Sequence, residues 1–240
     1  MNTNLYSIRE QEIFNTLKQI RTCDFVLIGG YAVNAYTLPR FSTDCDIVTK
    51  NVKELNKIAK ILKRAGYKKN RLEGAVTYSG KFSRYTKILE KNFSVSIDIL
   101  IGNVSDRMTG AVFSSNWIFK KAIMSRLNGK TIIEELQLKI LDIDALIVMK
   151  TISCRATDIR DIFMMLPKAK DNEWIKKEIR SRFNYTDRIT KIYGKISSKQ
   201  FKDGLSGVYG HLDDELFEKH KNTVEKYLDI PLIKKNSDIK

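Results

Sequence analysis

The chain has 240 residues, of which 42% are hydrophobic, and such values suit one large or two small globular domains. No apolar run reaches the roughly 18 residues that a membrane span requires, and the first residues show no basic segment followed by an apolar one, so neither a membrane span nor a signal peptide is expected. The chain has 43 Lys and Arg residues against 28 Asp and Glu residues, which gives a net charge of +15. This charge favours a polyanionic partner such as RNA, DNA or an acidic protein. The alternative is a lysine-rich solvated surface without such a partner.

Helices and short strands alternate along the first part of the chain. The capping box Ser7-Ile-Arg-Glu10 predicts the start of an amphipathic helix, and Asn51 is placed to cap another. Apolar runs and period-two alternation predict the strands. In chain order, the predicted elements are a helix at 7–20, a strand at 25–28, a helix at 31–36, a strand at 45–48, a helix at 51–64, and strands at 75–78, 85–89 and 93–101. This part is therefore expected to form an α/β core.

The second part of the chain has a mainly helical pattern. Asn128-Gly129 is a typical hairpin turn, and it predicts strands at 122–124 and 131–133. Helices are predicted at 141–153, 155–166, 171–183, 186–196 and 212–228. The aromatic residues of the tail are expected to pack between helices. The fold class is thus expected to be α+β, with one domain at 1–105 and a second at 106–240 that holds the hairpin and the C-terminal helical region.

Two acidic residues, Asp44 and Asp46, are separated by one position and lie at the start of the strand predicted at 45–48. Residues at i and i+2 of a strand project to the same side, so these carboxylates repel each other unless a cation lies between them. A divalent metal such as Mg²⁺ is the usual cation. Upstream, Gly29-Gly30 follows a strand, where a backbone without side chains can approach a phosphate closely. The pattern predicts a site for a metal-bound nucleoside triphosphate.

Asp98 is a third candidate ligand, because it lies on a predicted strand whose other face is apolar. An acid on the inner side of a sheet costs free energy unless it is paired or bound to metal. If its strand is adjacent to that of Asp44 and Asp46, the three carboxylates meet and can hold two Mg²⁺ ions, with Mn²⁺ as a substitute. Asp98 is then a metal ligand or the base that takes the acceptor proton. Each of these features alone is also found on ordinary turns and solvent-facing strands.

In this order, Gly29-Gly30-Tyr-Ala32 and Arg40-x-Ser42-x-Asp44-x-Asp46 resemble the signature of the polymerase-β-like nucleotidyltransferase superfamily. The full pattern of these residues is similar to that of the AbiEii-type toxin nucleotidyltransferases. This chain has Ser42 at their threonine position and Gly30 where many relatives have Ser. The resemblance implies a nucleotidyltransferase-like mixed β-sheet with flanking helices, in which the nucleotide contacts Gly29, Gly30, Arg40 and Ser42. Arg40 can instead, or in addition, neutralise the acid pair through a salt bridge.

A second block, from Leu146 to Ile162, resembles the Leu-x-x-x-Lys, Arg and Asp-x-x-Asp block of the same family. The resemblance implies that Lys150 contacts the triphosphate, that Asp158 or Asp161 orients it or the acceptor, and that Arg155 takes part in nucleotide binding. An ordinary surface ion-pair cluster is the alternative. The resemblance covers about residues 24–165, and it implies that residues 1–105 form the catalytic core and residues 106–240 complete the active site.

The resemblance implies a Mg²⁺-dependent nucleotidyltransferase that moves an NMP from an NTP to an acceptor hydroxyl and acts as the toxin of a toxin–antitoxin pair. The acceptor is expected to be RNA, such as a tRNA 3′ end, which suits the basic charge, or a protein hydroxyl. An antitoxin protein is then a further partner. Nucleotidylation of a small molecule such as an aminoglycoside, and an inert nucleotide-binding module, are the alternatives. Three cysteines, an odd number without metal spacing, favour the reducing cytoplasm.

Overall fold

The computed structural model describes residues 3–70, 81–91, 93–210 and 213–229. The chain divides into two compact units. The sheet unit comprises Met1–Ala35, Pro39–Ser105 and Val112–Asp142, and the helical unit comprises Tyr36–Leu38, Asp106–Ala111 and Ile143–Lys240. The sheet unit thus extends to Asp142, beyond the domain boundary predicted at residue 105.

Seven of the described strands form one mixed sheet in the order β3-β4-β5-β2-β1-β9-β8, and β6 and β7 form a separate pair. The strands are β1 (Val26–Ile28), β2 (Asp44–Thr49), β3 (Lys68–Lys69), β4 (Lys81–Glu90), β5 (Phe93–Ile101), β6 (Asn103–Ser105), β7 (Val112–Ser114), β8 (Ala122–Leu127) and β9 (Leu136–Leu141). The β2–β5 and β1–β9 pairs are parallel, and the other pairs are antiparallel. β1 is a short interior strand between β2 and β9, and all three of its residues are buried, as a strand covered on both faces requires.

The helices of the sheet unit are α1 (Thr3–Ile20), α2 (Gly29–Val33), α3 (Val52–Arg64) and α4 (Ser115–Lys120). α1 buries Ile13, Phe14 and Leu17 and packs against β5. At the start of α3, the predicted cap is confirmed, because the Asn51 side chain accepts a hydrogen bond from the Glu54 amide at 3.1 Å. The hydrophobic stripes of these helices therefore cover the sheet that carries the acidic residues.

The helical unit contains α5 (Ile143–Ser153), α6 (Ala156–Met165), α7 (Asn172–Arg180), α8 (Tyr185–Ile196), α9 (Lys199–Tyr209) and α10 (Asp214–Tyr227). Phe163, Phe201 and Phe217 meet inside this unit, with the ring centroid of Phe163 5.2 Å from that of Phe201 and 5.4 Å from that of Phe217. The expected helix packing by tail aromatics is confirmed at Phe201. Helix α9 was not among the predicted helices, and its two glycines, Gly204 and Gly207, explain the weak helical signal.

Several predicted boundaries differ from the structure. α1 begins at Thr3, so Ser7-Ile-Arg-Glu10 lies within the helix, and α2 begins at Gly29 and is only five residues long. The predicted second hairpin strand at 131–133 is wrong, because the chain pairs again only from Leu136. The strand predicted at 75–78 lies outside the described residues. No helix in the described part of the chain is long and apolar enough to cross a membrane.

Candidate active site

The three predicted acids lie on two adjacent strands of the sheet. β2 and β5 are parallel neighbours, with Asp46 opposite Asp98 and Asp44 opposite Ser96. Directly paired residues project to the same face, and Asp44 lies two residues before Asp46, so the three carboxylates share one face. Asp98 is the most buried of them, at 4% exposure. The expected adjacency of these two strands is therefore confirmed.

Arg84 supplies a positive charge at this face, and the sequence prediction missed it. In the β4–β5 pair Arg84 lies opposite Asp98, and its Nε and Nη2 donate to Asp98 Oδ1 and Oδ2 at 2.7 and 2.5 Å. Nη2 also lies 3.8 Å from Asp44 Oδ2. The hydrogen bonds to Asp98 raise the pKa of Arg84. The strand predicted at 85–89 began one residue after Arg84, whereas β4 begins at Lys81 and includes Arg84.

The glycine turn comes very close to the second acid. Gly29 has a φ of +69°, and a Cβ atom at this position would lie 2.1 Å from Asp46 Oδ2. A Cβ atom at Gly30 would lie 2.5 Å from Ser42 Oγ and 3.2 Å from an Arg40 guanidinium nitrogen. At both positions the absence of a side chain leaves room for a predicted site residue. The backbone of the two glycines lies beside the face of the sheet that carries Asp44, Asp46 and Asp98, which is called the acidic face below.

The Gly29 position gives a stability prediction with a matched control. Gly29→Ala is expected to lower the free energy of unfolding by about 1 kcal/mol from the positive φ and by a further 1–3 kcal/mol from the collision with Asp46. Gly102 also has a positive φ, of +78°, but a Cβ atom there would meet nothing within 4 Å. Urea unfolding of both variants should therefore show a clearly larger loss for Gly29→Ala. Equal losses would mean that the close approach to Asp46 does not affect stability.

The loop that carries Arg40 and Ser42 is fixed by a buried amide that the sequence prediction did not include. Asn34 Nδ2 donates to the Arg40 carbonyl at 2.9 Å, and the Arg40 amide donates to Asn34 Oδ1 at 3.1 Å. The Arg40 side chain also donates from Nη1 to the Phe41 carbonyl at 3.2 Å. Asn34 is fully buried. The sequence does contain a signal for this role of Asn34. It is a polar amide within the apolar run after Tyr31, and a buried amide needs hydrogen-bond partners.

The acidic face has the donor chemistry of a hard-cation site. Carboxylate oxygens are the ligands that Mg²⁺ prefers. Among the described residues, however, no group of three or more His, Cys, Asp or Glu side chains is placed to hold a metal ion. The Arg84 guanidinium compensates the charge of Asp98. The carboxylates thus have the donor chemistry for a divalent cation, but Asp98 is paired with Arg84.

The second predicted block forms an ion cluster in the helical unit. Lys150 Nζ lies 2.8 Å from Asp158 Oδ1 and 2.9 Å from Asp161 Oδ2, and Arg155 Nε donates to Asp158 Oδ2 at 2.7 Å. Both carboxylates are fully buried and Lys150 is 8% exposed, so this is a buried cluster, not the surface cluster considered as an alternative. Tyr209 also donates to Asp161 Oδ1, at 3.4 Å. Burial lowers the pKa of Lys150, but the two carboxylates more than offset this and leave it raised.

Solved structures with a similar fold include MenT4, a nucleotidyltransferase toxin from Mycobacterium tuberculosis, with a TM-score of 0.56 and 11% identity over 94% of this chain and 83% of that chain. JHP933 from Helicobacter pylori has a TM-score of 0.45 and 17% identity over 99% of this chain and 97% of that chain. The lincosamide antibiotic adenylyltransferase LnuA, bound to lincomycin, has a TM-score of 0.43 and 18% identity over 64% of this chain and 93% of that chain. No protein-family profile matches the sequence, and no curated protein does.

The similarity to MenT4 defines the class of fold. A mixed sheet flanked by helices, in the arrangement of a nucleotidyltransferase, is present in this chain, and the fold prediction is thereby confirmed. At 11% identity this similarity concerns the fold alone. The chemistry of the chain depends on the side chains of the acidic face.

Proposed function

We propose that the protein is a metal-dependent nucleotidyltransferase that moves an NMP from an NTP to an acceptor hydroxyl and releases pyrophosphate. The observation that carries this proposal is the alignment of Asp44, Asp46 and Asp98 on one face of the sheet, directly beside the backbone of Gly29. In a nucleotidyltransferase fold, this combination supports nucleotide binding next to metal-binding carboxylates. It corresponds to the motif that the sequence resembles.

Asp44, Asp46 and Asp98 would hold Mg²⁺, in one or two sites, or Mn²⁺ in its place. A divalent cation there would neutralise the charge of the triphosphate and activate the attacking hydroxyl. Arg84 would leave Asp98 when the cation enters, and its side chain is exposed enough to turn toward the solvent or a phosphate. Asp98 would then act as a ligand or accept the proton of the acceptor hydroxyl.

The glycine turn and the following loop would position the phosphates. The backbone at Gly29 and Gly30 would approach them closely, Ser42 would offer its hydroxyl, and Arg40 would contact a phosphate or the base. The two hydrogen bonds between the Asn34 side chain and the Arg40 backbone support this role, because they fix the loop before any ligand binds. During transfer the acceptor oxygen would bond to the α-phosphorus, while the bond to pyrophosphate breaks and the acceptor proton moves to the base.

Lys150 would contribute a permanent positive charge to triphosphate binding, with Arg155 beside it. Asp158 and Asp161 would orient Lys150 through the salt bridges described above, and through it the nucleotide or the acceptor.

The acceptor is proposed to be RNA in the cytoplasm, such as a tRNA 3′ end, because the net charge of +15 favours a polyanion. A protein hydroxyl is the second candidate. A polycationic small molecule would need an acidic pocket, which a basic chain does not favour. The chain is further proposed to be the toxin of a toxin–antitoxin pair, with an antitoxin protein as partner. Two observations support this: the sequence motifs resemble those of AbiEii-type proteins, and the fold is similar to that of the toxin MenT4.

The activity is tested with purified protein, Mg²⁺, each α-³²P-labelled NTP in turn, and total tRNA or cell extract. We expect label on RNA with at least one NTP, and we expect chelation by EDTA to remove it and added Mg²⁺ or Mn²⁺ to restore it. Label on a protein band would identify protein as the acceptor. If no label appears and the protein does not bind NTP in the presence of Mg²⁺, the enzymatic proposal is wrong and an inert module remains.

A further inference from the structure

The helical unit contains a cleft of ≈ 640 Å³, whose lining shares Arg155 with the proposed function above. It lies between the turn that joins α5 to α6 and the first half of α8. Its lining includes Arg155, Phe183, Asn184, Asp187, Arg188 and Lys191. A volume of this size is typical of small-ligand sites, for which a range of about 300–1,000 Å³ is usual.

Arg188 is the most informative residue of the cleft lining. It is 5% exposed, and within the described part of the chain its buried Nε has no hydrogen-bond partner. Its guanidinium carbon lies 4.1 Å from the ring centroid of Phe183, and its Nη1 lies 3.4 Å from Asp187 Oδ2. A buried cationic N–H group without an acceptor costs free energy, so an anionic ligand at this position would be strongly favoured.

The charges around Arg188 also favour an anion. Lys191 is exposed on the next turn of α8, and its Nζ shares Asp187 with Arg188, at 3.2 Å from Asp187 Oδ2. Arg155 contributes a third cation, whose side chain is 66% exposed although its Nε is bonded to Asp158. The lining thus combines three cations with the single carboxylate of Asp187. Guanidinium groups of this kind bind phosphate through charge-assisted hydrogen bonds.

We propose that this cleft is a binding site for a phosphate group carried by a nucleotide or by an RNA strand. Arg188 Nε donates to a phosphate oxygen from inside the cleft, and Lys191 and Arg155 compensate the remaining charge from its rim. Asn184 caps the start of α8 by accepting from the Asp187 amide, and Phe183 forms an apolar wall, which suits the sugar or base attached to the phosphate. The site lies wholly within the helical unit and does not depend on the proposed transfer reaction.

The test measures binding without turnover, in buffer without divalent metal. The probes are inorganic phosphate and ATP by calorimetry, and a short fluorescein-labelled single-stranded RNA by anisotropy. The variants are Lys191→Ala, which removes an exposed cation, and Arg188→Lys, which keeps the charge but removes the Nε donor. Lys177→Ala, an exposed lysine on α7 outside the cleft, is the matched control. Circular dichroism confirms that each variant is folded.

We expect each cleft variant to weaken binding of the preferred probe by about tenfold, as for one lost charge-assisted hydrogen bond, and Lys177→Ala to leave it unchanged. If the cleft variants lose affinity for RNA alone, the ligand is a phosphate of an RNA strand. If they lose affinity for ATP and inorganic phosphate, the ligand is a free nucleotide. Because Lys191 is exposed, its variant remains informative even if Arg188→Lys does not fold. Unchanged affinity of Lys191→Ala for all three probes, or an equal loss in Lys177→Ala, would overturn the proposal. A protein that binds in this way yet transfers no nucleotide would separate this site from the proposed function.

Discussion

Asp46→Asn is expected to reduce nucleotide transfer by about a thousandfold or more, since metal-assisted charge stabilisation is worth several kcal/mol and each 1.36 kcal/mol corresponds to tenfold in rate. Asp46 lies between Asp44 on its own strand and Asp98 on the next, and its carboxylate faces the Gly29 backbone. Asn has nearly the same shape but lacks the charge that a divalent cation requires. The rate of label transfer from an α-³²P-labelled NTP measures the effect.

The control for this variant is Asp24→Asn, which removes an exposed acid of the same unit that pairs with Lys139. We expect this variant to transfer nucleotide at the wild-type rate, because an exposed salt bridge contributes little. Both variants should unfold at nearly the same urea concentration as the wild type. Activity of Asp46→Asn within about threefold of wild type would contradict the assignment of the acidic face as the catalytic site.

Lys150→Met is expected to lower the free energy of unfolding by about 3–5 kcal/mol, the range observed when one partner of a buried ion pair is removed. Asp158 and Asp161 are fully buried, and both carboxylates bond to the Lys150 amine. Met keeps the apolar volume of the lysine stem but leaves Asp161 without its cation. Urea unfolding followed by circular dichroism measures the loss.

Two further variants separate lost charge compensation from lost packing. Lys177→Met makes the same chemical change at an exposed position of α7, and we expect less than about 0.5 kcal/mol of change there. Lys150→Met combined with Asp161→Asn should recover part of the stability, because the carboxylate left without a cation is removed as well. A loss below about 1 kcal/mol for Lys150→Met would mean that the cluster is not a stabilising element of the helical unit.

The acidic face could be anticipated from sequence because it depends on local spacing. Asp44 and Asp46 define their own strand face, and Gly29-Gly30 marks the turn before them. Arg84 could not be anticipated in the same way, because its position opposite Asp98 depends on the register of β4 against β5. That register is set by the whole antiparallel pair, and one residue of slip would turn Arg84 to the other face.

The helical unit shows a different limit of sequence prediction. Lys150, Asp158 and Asp161 carry charges, so they resemble a surface cluster as long as only their own helices are considered. Their burial results from the packing of α5 against α6 and α7. Tyr209 on α9 adds a hydrogen bond to Asp161, and α9 itself was not predicted because its segment contains two glycines. Helix propensity and spacing describe each helix separately, whereas burial depends on partners distant in sequence.

The pairing of Arg84 with Asp98 has a consequence for the order of events in the cell. Many small metalloproteins remain unfolded until their ion arrives, because unneutralised ligands oppose folding. Here a residue of the chain itself already supplies the opposing charge, so the strand that carries Asp98 can assemble without an ion. Under the proposed function, newly made chains would therefore fold first and bind the metal and the nucleotide afterwards.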